Sequence, residues 1–107
     1  MSEPIDSKRF NAVYADLDKL FEHRGRLAIS CLLSRYSKIT FKRFKELLGE
    51  TDGNLGAQLK KLEEAGYLAV TKEFIDRKPV SWYAITKNGQ KALDKHLSAL
   101  RHLSNEQ

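Results

Sequence analysis

The sequence contains one cysteine, two prolines and six glycines among 107 residues, and no apolar run long enough to span a bilayer. Because Cys31 is alone, an internal disulfide is excluded, which fits a reducing compartment. No apolar segment typical of a signal peptide follows Met1. We therefore expect a cytoplasmic protein with no membrane partner. The length predicts a single domain over residues 1–107.

Potential metal ligands and catalytic groups are also few. Zinc needs four ligands at set spacing, and the candidates are Cys31, His23, His96 and His102. His96 and His102 are six residues apart in one predicted helix, so they point in different directions. No catalytic triad, phosphate loop or dinucleotide motif is present, so we expect no enzyme, metal or cofactor. Cys31 lies on an apolar helical face, which favours a core residue over the alternative, a redox sensor.

Positive charge is in excess. Nineteen Lys and Arg residues against fourteen Asp and Glu residues give a formal charge of +5 and a pI near 9.4. Such a surface attracts polyanions, with nucleic acid the first candidate and an anionic membrane the second. Many soluble proteins are equally basic without such a partner. The positions of the charges must therefore show whether this excess indicates nucleic-acid binding.

Periodic apolar residues predict helices in the first half of the chain. An N-terminal helix is expected over residues 8–22, and a second follows a break at Gly25. The short "SKITF" segment indicates a brief strand. Thr40 is placed to cap a third helix that Gly49 ends. The residues expected to face inward from this third helix are Phe41, Phe44, Leu47 and Leu48.

A fourth helix follows the third almost at once. Thr51 caps it, Gly66 stops it, and three leucines form one apolar ridge at Leu55, Leu59 and Leu62. Two helices joined by so few residues predict a helix-turn-helix arrangement.

Beyond Gly66 the apolar period changes from helical to alternating. Two runs flank the charged "IDRKP" segment and predict a β-hairpin. We expect Trp82 in the core and Tyr83 partly exposed, with stacking on single-stranded bases as the alternative for both. Thr86 caps a last helix over residues 87–103.

The fourth helix carries a polar face opposite its leucine ridge. Small, amide and cationic side chains there fit the major groove, where Asn or Gln pairs with adenine and Lys with guanine or phosphate. The residues predicted to contact DNA from this helix are Thr51, Gly53, Asn54, Ala57, Gln58, Lys60 and Lys61, of which Lys60 contacts the backbone.

Two glycines lie near the start of the fourth helix, although glycine costs a helix about 1 kcal/mol relative to alanine. Gly53 lies on the outward face, where it lets the backbone come near DNA. Gly56 lies to one side and is expected to permit close packing against the preceding helix. The alternative is that both are tolerated because the leucine ridge outweighs helix propensity.

Further basic residues lie before the fourth helix and in the hairpin. Lys38, Lys42, Arg43 and Lys45 are placed to bind phosphate, since the first helix of such a motif crosses the DNA backbone. Lys72, Arg77 and Lys78 would enter an adjacent minor groove from the hairpin, although Glu73 and Asp76 dilute their charge. The alternatives are a solvated helix face and an ordinary polar turn.

The segment from "FKELLG" to "QKAL" resembles small stand-alone winged-helix transcriptional regulators related to the MarR and ArsR families. Four pieces carry the resemblance: the helix start at residues 51–55, "LEEAGY" at 62–67, "KP" at 78–79 and the strand exit at 85–89. The resemblance covers about residues 24–97. It implies a homodimer that binds duplex DNA and represses by default, with the Thr51 helix reading the bases and the hairpin as the wing.

The expected fold class is therefore α+β and mostly helical. It is a winged helix-turn-helix with a three-helix core, a two-stranded β wing and extra terminal helices. Its core covers residues 24–86, between the N-terminal helix at 8–22 and the C-terminal helix at 87–103.

The two terminal helices each carry an apolar stripe. The stripes either pack against each other within one subunit or, as the resemblance implies, pair across a two-fold axis on palindromic DNA. The residues predicted for that dimer interface are Phe10, Val13, Leu17, Leu20, Leu93, Leu97 and Leu100. Two alternatives remain open: a winged helix that binds protein instead of DNA, and a small-molecule effector between the terminal helices and the core.

Overall fold

The computed structural model describes residues 4–105. These residues form five α-helices and one three-stranded antiparallel sheet, which confirms the predicted winged-helix fold class. The helices are α1 (Ser7–Ala15), α2 (Arg24–Arg35), α3 (Phe41–Leu48), α4 (Asp52–Glu64) and α5 (Lys87–Asn105). The strands are β1 (Ile39–Thr40), β2 (Leu68–Ile75) and β3 (Lys78–Ile85).

Side-chain caps set the ends of the central helices as predicted. The Thr40 hydroxyl accepts from the Arg43 amide at 3.1 Å, and the Thr51 hydroxyl accepts from the Asn54 amide at 3.2 Å. Gly49 follows α3 with φ 65°, a left-handed conformation that glycine adopts without steric cost. These caps place α3 and α4 in the helix-turn-helix arrangement.

The sheet has the strand order β1-β3-β2. The predicted brief strand at "SKITF" is β1, and it adds a third strand to the hairpin by pairing with β3. Ile75 pairs with Lys78, so the hairpin turn is only two residues long. Asp76 and Arg77 occupy it with φ 49° and 66°, as a type I′ turn requires.

The core lies between α2, α3, α4, α5 and the sheet. The leucine ridge of α4 is buried within it, as predicted. Leu47 is 43% exposed, so its predicted inward position is wrong. The buried apolar residues are Phe21, Ile29, Leu33, Ile39, Phe44, Leu55, Leu59, Leu62, Leu68, Leu93 and Ala99.

The expected core position of Trp82 is wrong, and Tyr83 is partly exposed, as expected, but lies on the face that packs against the core. Tyr83 packs against the core, with its ring edge-on to Phe44 at 6.2 Å between centroids. Trp82 lies on the other face, where Lys38 Nζ is 4.4 Å from the ring centroid and the indole N–H donates to Glu73 Oε1 at 2.6 Å. Alternation along β3 was predicted correctly, but the choice of face was wrong because both faces carry large side chains.

The N-terminal helix is shorter than the predicted 8–22. It ends at Ala15, and a 3-10 turn covers Lys19–Glu22. Between them, the Asp18 amide donates to His96 Nδ1 at 2.9 Å, and the Asp18 carboxylate accepts from the Leu20 amide at 2.9 Å. The backbone at Asp18 is thus bound to α5 instead of continuing the helix. Likewise α2 begins before Gly25, because His23 caps it.

Tyr67 joins the N-terminal segment to the winged core. Its hydroxyl donates to Asp18 Oδ2 at 2.6 Å, and its ring stacks on Phe21 at 5.5 Å between centroids. Its carbonyl accepts from the Thr86 amide at 2.9 Å, next to the start of α5. One residue at the beginning of the wing therefore contacts both terminal segments.

The environment of Tyr67 predicts a dependence of stability on pH. Burial, and then the hydrogen bond to the Asp18 carboxylate, raise the pKa of Tyr67 from 10.0 to about 12. The folded state holds this proton more tightly than the unfolded chain does, so the stabilisation is complete below pH 10.0 and is lost as the pH rises through about 12. We expect the free energy of unfolding, measured in urea, to fall more steeply over this range than in Tyr67→Phe.

The matched control for that experiment is Tyr36→Phe, because Tyr36 is 53% exposed. It should retain the wild-type pH profile. A Tyr67→Phe profile parallel to that of the wild type would contradict the assigned hydrogen bond.

Candidate nucleic-acid interface

The outward face of α4 is uncovered by the rest of the described chain. Thr51, Gly53, Asn54, Ala57, Lys60 and Lys61 are exposed, and Gln58 is half-buried. The leucine ridge on the opposite side has exposed fractions of only 0–2%. The α4 surface predicted to contact DNA is therefore accessible, apart from part of Gln58.

The two glycines of α4 have open space around them. A Cβ atom on either Gly53 or Gly56 would meet no atom within 4 Å. This agrees with an outward position for Gly53, but the expected close packing at Gly56 is wrong. No contact among the described residues requires a glycine at position 53. Packing within the chain therefore does not explain why this position carries a residue that weakens the helix.

The close approach that requires a glycine occurs at Gly89 in α5. A Cβ there would lie 2.2 Å from the Tyr67 carbonyl oxygen and 2.9 Å from Ile85 Cγ1. This contact was not predicted. Its sequence signal is a glycine within the first turn of a helix that packs against the preceding strands.

The predicted phosphate-binding residues of α3 are exposed. Arg43 forms an ion pair with Glu46 at 3.3 Å, and Lys45 Nζ lies 2.7 Å from Asp52 Oδ1 at the start of α4. Lys42 forms no ion pair with any residue in the described part of the chain. Exposed pairs of this kind contribute little stability, so these cations can exchange their carboxylate for a phosphate.

The wing presents cations together with apolar side chains. Lys72, Arg77 and Lys78 are exposed, as predicted. Phe74 is 78% exposed and Ile75 is 45% exposed, which the alternating pattern did not anticipate. The hairpin extends beyond the core, so its apolar positions near the turn have nothing to pack against.

Arg26 of α2 contacts the α4 surface, and sequence analysis missed it. Its Nε donates to the Leu20 carbonyl at 2.6 Å, and its Nη1 donates to Gln58 Oε1 at 2.6 Å. Gln58 and Asn54 line an open cleft of about 570 Å³ beside the start of α2. Sequence spacing offers no signal for this pair, because the two residues are 32 positions apart on different helices.

The terminal helices pack against each other within one chain, and part of their apolar surface stays exposed. Phe10 is 49% exposed, Tyr14 64% and Leu100 36%. Val13, Leu17, Leu20 and Leu97 are half-buried. Leu93 is 1% exposed and lies in the core, so its predicted place in a dimer interface is corrected: a partner could not reach it.

Cys31 and the three histidines do not form a common site. Across residues 4–105, no group of three or more His, Cys, Asp or Glu side chains is arranged to hold a metal ion. Burial raises the pKa of the Cys31 thiol, which reduces the thiolate fraction that a redox sensor uses. Within the same residues, no helix has both the length and the apolar character to cross a membrane.

Comparisons with known proteins agree with this geometry. Residues 26–104 match the family described as "Winged helix DNA-binding domain". The chain is 35% identical over 86 residues to an uncharacterized protein of Methanocaldococcus jannaschii, which covers 80% of this chain and 94% of the relative. The chain belongs to the winged-helix DNA-binding domain family.

Two solved structures show the same architecture. A transcriptional regulator homologue from Pyrococcus horikoshii OT3 has a TM-score of 0.76 and 28% identity, over 81% of this chain and 86% of that chain. A MarR variant from E. coli, solved in complex with operator DNA, has a TM-score of 0.66 and 17% identity, over 94% and 76% of the two chains. The resemblance to winged-helix regulators is thus confirmed.

Proposed function

We propose that this protein is a sequence-specific, double-stranded DNA-binding transcriptional regulator that acts as a homodimer on a palindromic operator and represses by occluding a promoter. The observation that carries the proposal is the uncovered outward face of α4, where Gly53 leaves space that no described residue fills. A side chain is missing where a DNA groove would approach. The operator DNA named with the MarR structure supports the same use of the fold.

Each part of the surface has its own role in this proposal. The outward face of α4 reads base edges, the basic residues of α3 together with Lys38 and Lys60 bind phosphates, and the wing contacts the minor groove. The base-facing residues are Gly53, Asn54, Ala57, Gln58 and Lys61. The phosphate-binding residues are Lys38, Lys42, Arg43, Lys45 and Lys60, and the wing residues are Lys72, Arg77 and Lys78.

The homodimer is proposed from the exposed apolar surface of the terminal helices. Phe10, Tyr14 and Leu100 form its exposed part. A two-fold axis through this surface would bury these side chains and present two copies of α4 to successive turns of DNA. The half-buried residues at its edge are Val13, Leu17, Leu20 and Leu97.

The experiment that tests the proposal is selection of binding sites from a pool of random duplexes, followed by titration of the selected duplex. Asn54→Ala is expected to reduce discrimination at particular base pairs by about 1–3 kcal/mol, since it removes a base contact. Lys42→Ala should weaken binding to all sequences alike and lower the salt slope by about one, since it removes a phosphate contact.

Lys91→Ala is the matched control, because it removes the same charge from an exposed position on α5, outside the proposed surface. Equal effects of Asn54→Ala and Lys42→Ala on all sequences would contradict the division of roles.

A second candidate function is binding to a protein partner. The observation that favours it is the apolar tip of the wing, where Phe74 is 78% exposed. This alternative predicts no enrichment of any sequence from the duplex pool, even at low salt.

A further inference from the structure

Arg26 forms a fixed bridge between the N-terminal segment and the proposed DNA-reading helix. Its guanidinium donates to the Leu20 carbonyl and to the Gln58 side chain, both at 2.6 Å. Arg26 and Gln58 are both half-buried, so these bonds are partly shielded from water. The bridge therefore holds Gln58 in one orientation before any ligand arrives.

The chemistry of the guanidinium determines which amide atom faces it. Arginine has N–H donors only and no acceptor. The atom of Gln58 at 2.6 Å must therefore be the oxygen, Oε1, and the Nε2 amino group is on the other arm of the amide. Gln58 makes no other side-chain hydrogen bond among the described residues, so Nε2 keeps its donors for a ligand.

This arrangement changes what Gln58 can read in the major groove. Adenine recognition by glutamine needs both a donor to N7 and an acceptor for the N6 amino group. Here Arg26 takes one of the two acceptor positions of Oε1, and the positive guanidinium beside it repels the hydrogens of an amino group that approaches the other. What remains is a set of donors, from Gln58 Nε2 and from the free N–H groups of Arg26.

Guanine presents two acceptors, N7 and O6, on its major-groove edge. We propose that Arg26 is a positioning residue that makes Gln58 specific for guanine instead of adenine. The inference rests on the proposed function, and it replaces the expectation that Gln58 pairs with adenine. Because Arg26 is also bound to the Leu20 carbonyl, little conformational entropy remains to be lost on binding.

The test compares the sequences that the wild type, Arg26→Met and Arg24→Met enrich from the same pool of random duplexes. Arg24→Met is the matched control, since it removes the same charge from an exposed position on α2 and leaves the bridge intact. The wild type and Arg24→Met should share a guanine at the position that Gln58 reads. In Arg26→Met the freed amide should accept adenine there, changing the guanine-to-adenine ratio roughly fivefold or more while other positions are retained.

Gln58→Met identifies the base pair that Gln58 contacts. It also keeps the test decisive if a thermal melt shows that Arg26→Met is not folded. It should lose the guanine preference at one position of each half-site. An adenine at the position that Gln58→Met relaxes would overturn the inference. Base ratios in Gln58→Met that equal those of the wild type would also overturn the inference, but they would not contradict the proposed function. If the wild type enriches no sequence, the proposed function itself fails.

Discussion

Gly89→Ala is expected to destabilise the fold by about 3 kcal/mol and to lower the melting temperature by roughly 10–20 °C. The added Cβ would lie 2.2 Å from the Tyr67 carbonyl oxygen. That carbonyl accepts from the Thr86 amide at 2.9 Å, so it cannot turn away without losing a backbone hydrogen bond. Thermal and urea unfolding, followed by circular dichroism, would measure the change.

Gly53→Ala and Gly56→Ala are the controls, because their Cβ atoms would meet nothing within 4 Å. Each should raise stability by up to about 1 kcal/mol through helix propensity alone. A Gly89→Ala protein as stable as the wild type would show that α5 does not lie against Tyr67 as described.

Replacing Phe10 and Tyr14 together by glutamate is expected to give a folded monomer that binds a palindromic duplex about 100-fold more weakly. The two side chains are 49% and 64% exposed, so they add little to the core of the single chain. In a homodimer they would be buried, and charges at these positions would separate the subunits. A monomer binds only one half-site, so it lacks the additional affinity that a dimer obtains by binding two half-sites of the same duplex. Sedimentation and duplex titration would measure both effects.

The matched control replaces Asn11 and Ala12 by glutamate. Both residues are exposed on α1 outside the predicted dimer interface, and the change in charge is the same. This control should stay dimeric and lose much less affinity. A wild-type protein that sediments as a monomer and still binds the selected palindrome tightly would contradict the proposed assembly.

Local chemistry made much of the fold predictable. Thr40, Thr51 and Thr86 cap their helices in the structure, because a hydroxyl three residues before a free amide needs no distant partner. The leucine ridge of α4 and the two strands of the wing follow from periods of 3.6 and 2 residues.

Two features of the fold that the sequence did not reveal have a long-range cause. The helix expected over residues 8–22 ends early because Asp18 bonds to His96, 78 positions away. The close approach at Gly89 depends on how α5 meets Tyr67. In both contacts the partner is distant in sequence, so the neighbouring residues favoured a longer helix and did not show which atoms Gly89 approaches.

The same limit applies to the candidate site. The exposed face of α4 was predicted from its helical period, but the orientation of the Gln58 amide was not, since it depends on Arg26 of another helix. Periodicity indicates which residues share a face. It carries no information on which hydrogen-bonding groups those residues still have free.

Because the space beside Gly53 is empty in the protein alone, selection for stability and selection for DNA binding should favour different residues at this position. A laboratory screen for heat resistance would accept alanine at both 53 and 56, since a methyl group at either position meets no neighbour. A screen for binding to operator DNA would accept alanine only at position 56, because a DNA groove lying against α4 would fill the space beside Gly53. In variants selected for thermal stability in the absence of DNA, alanine at position 53 should therefore be the first change that weakens binding to the operator.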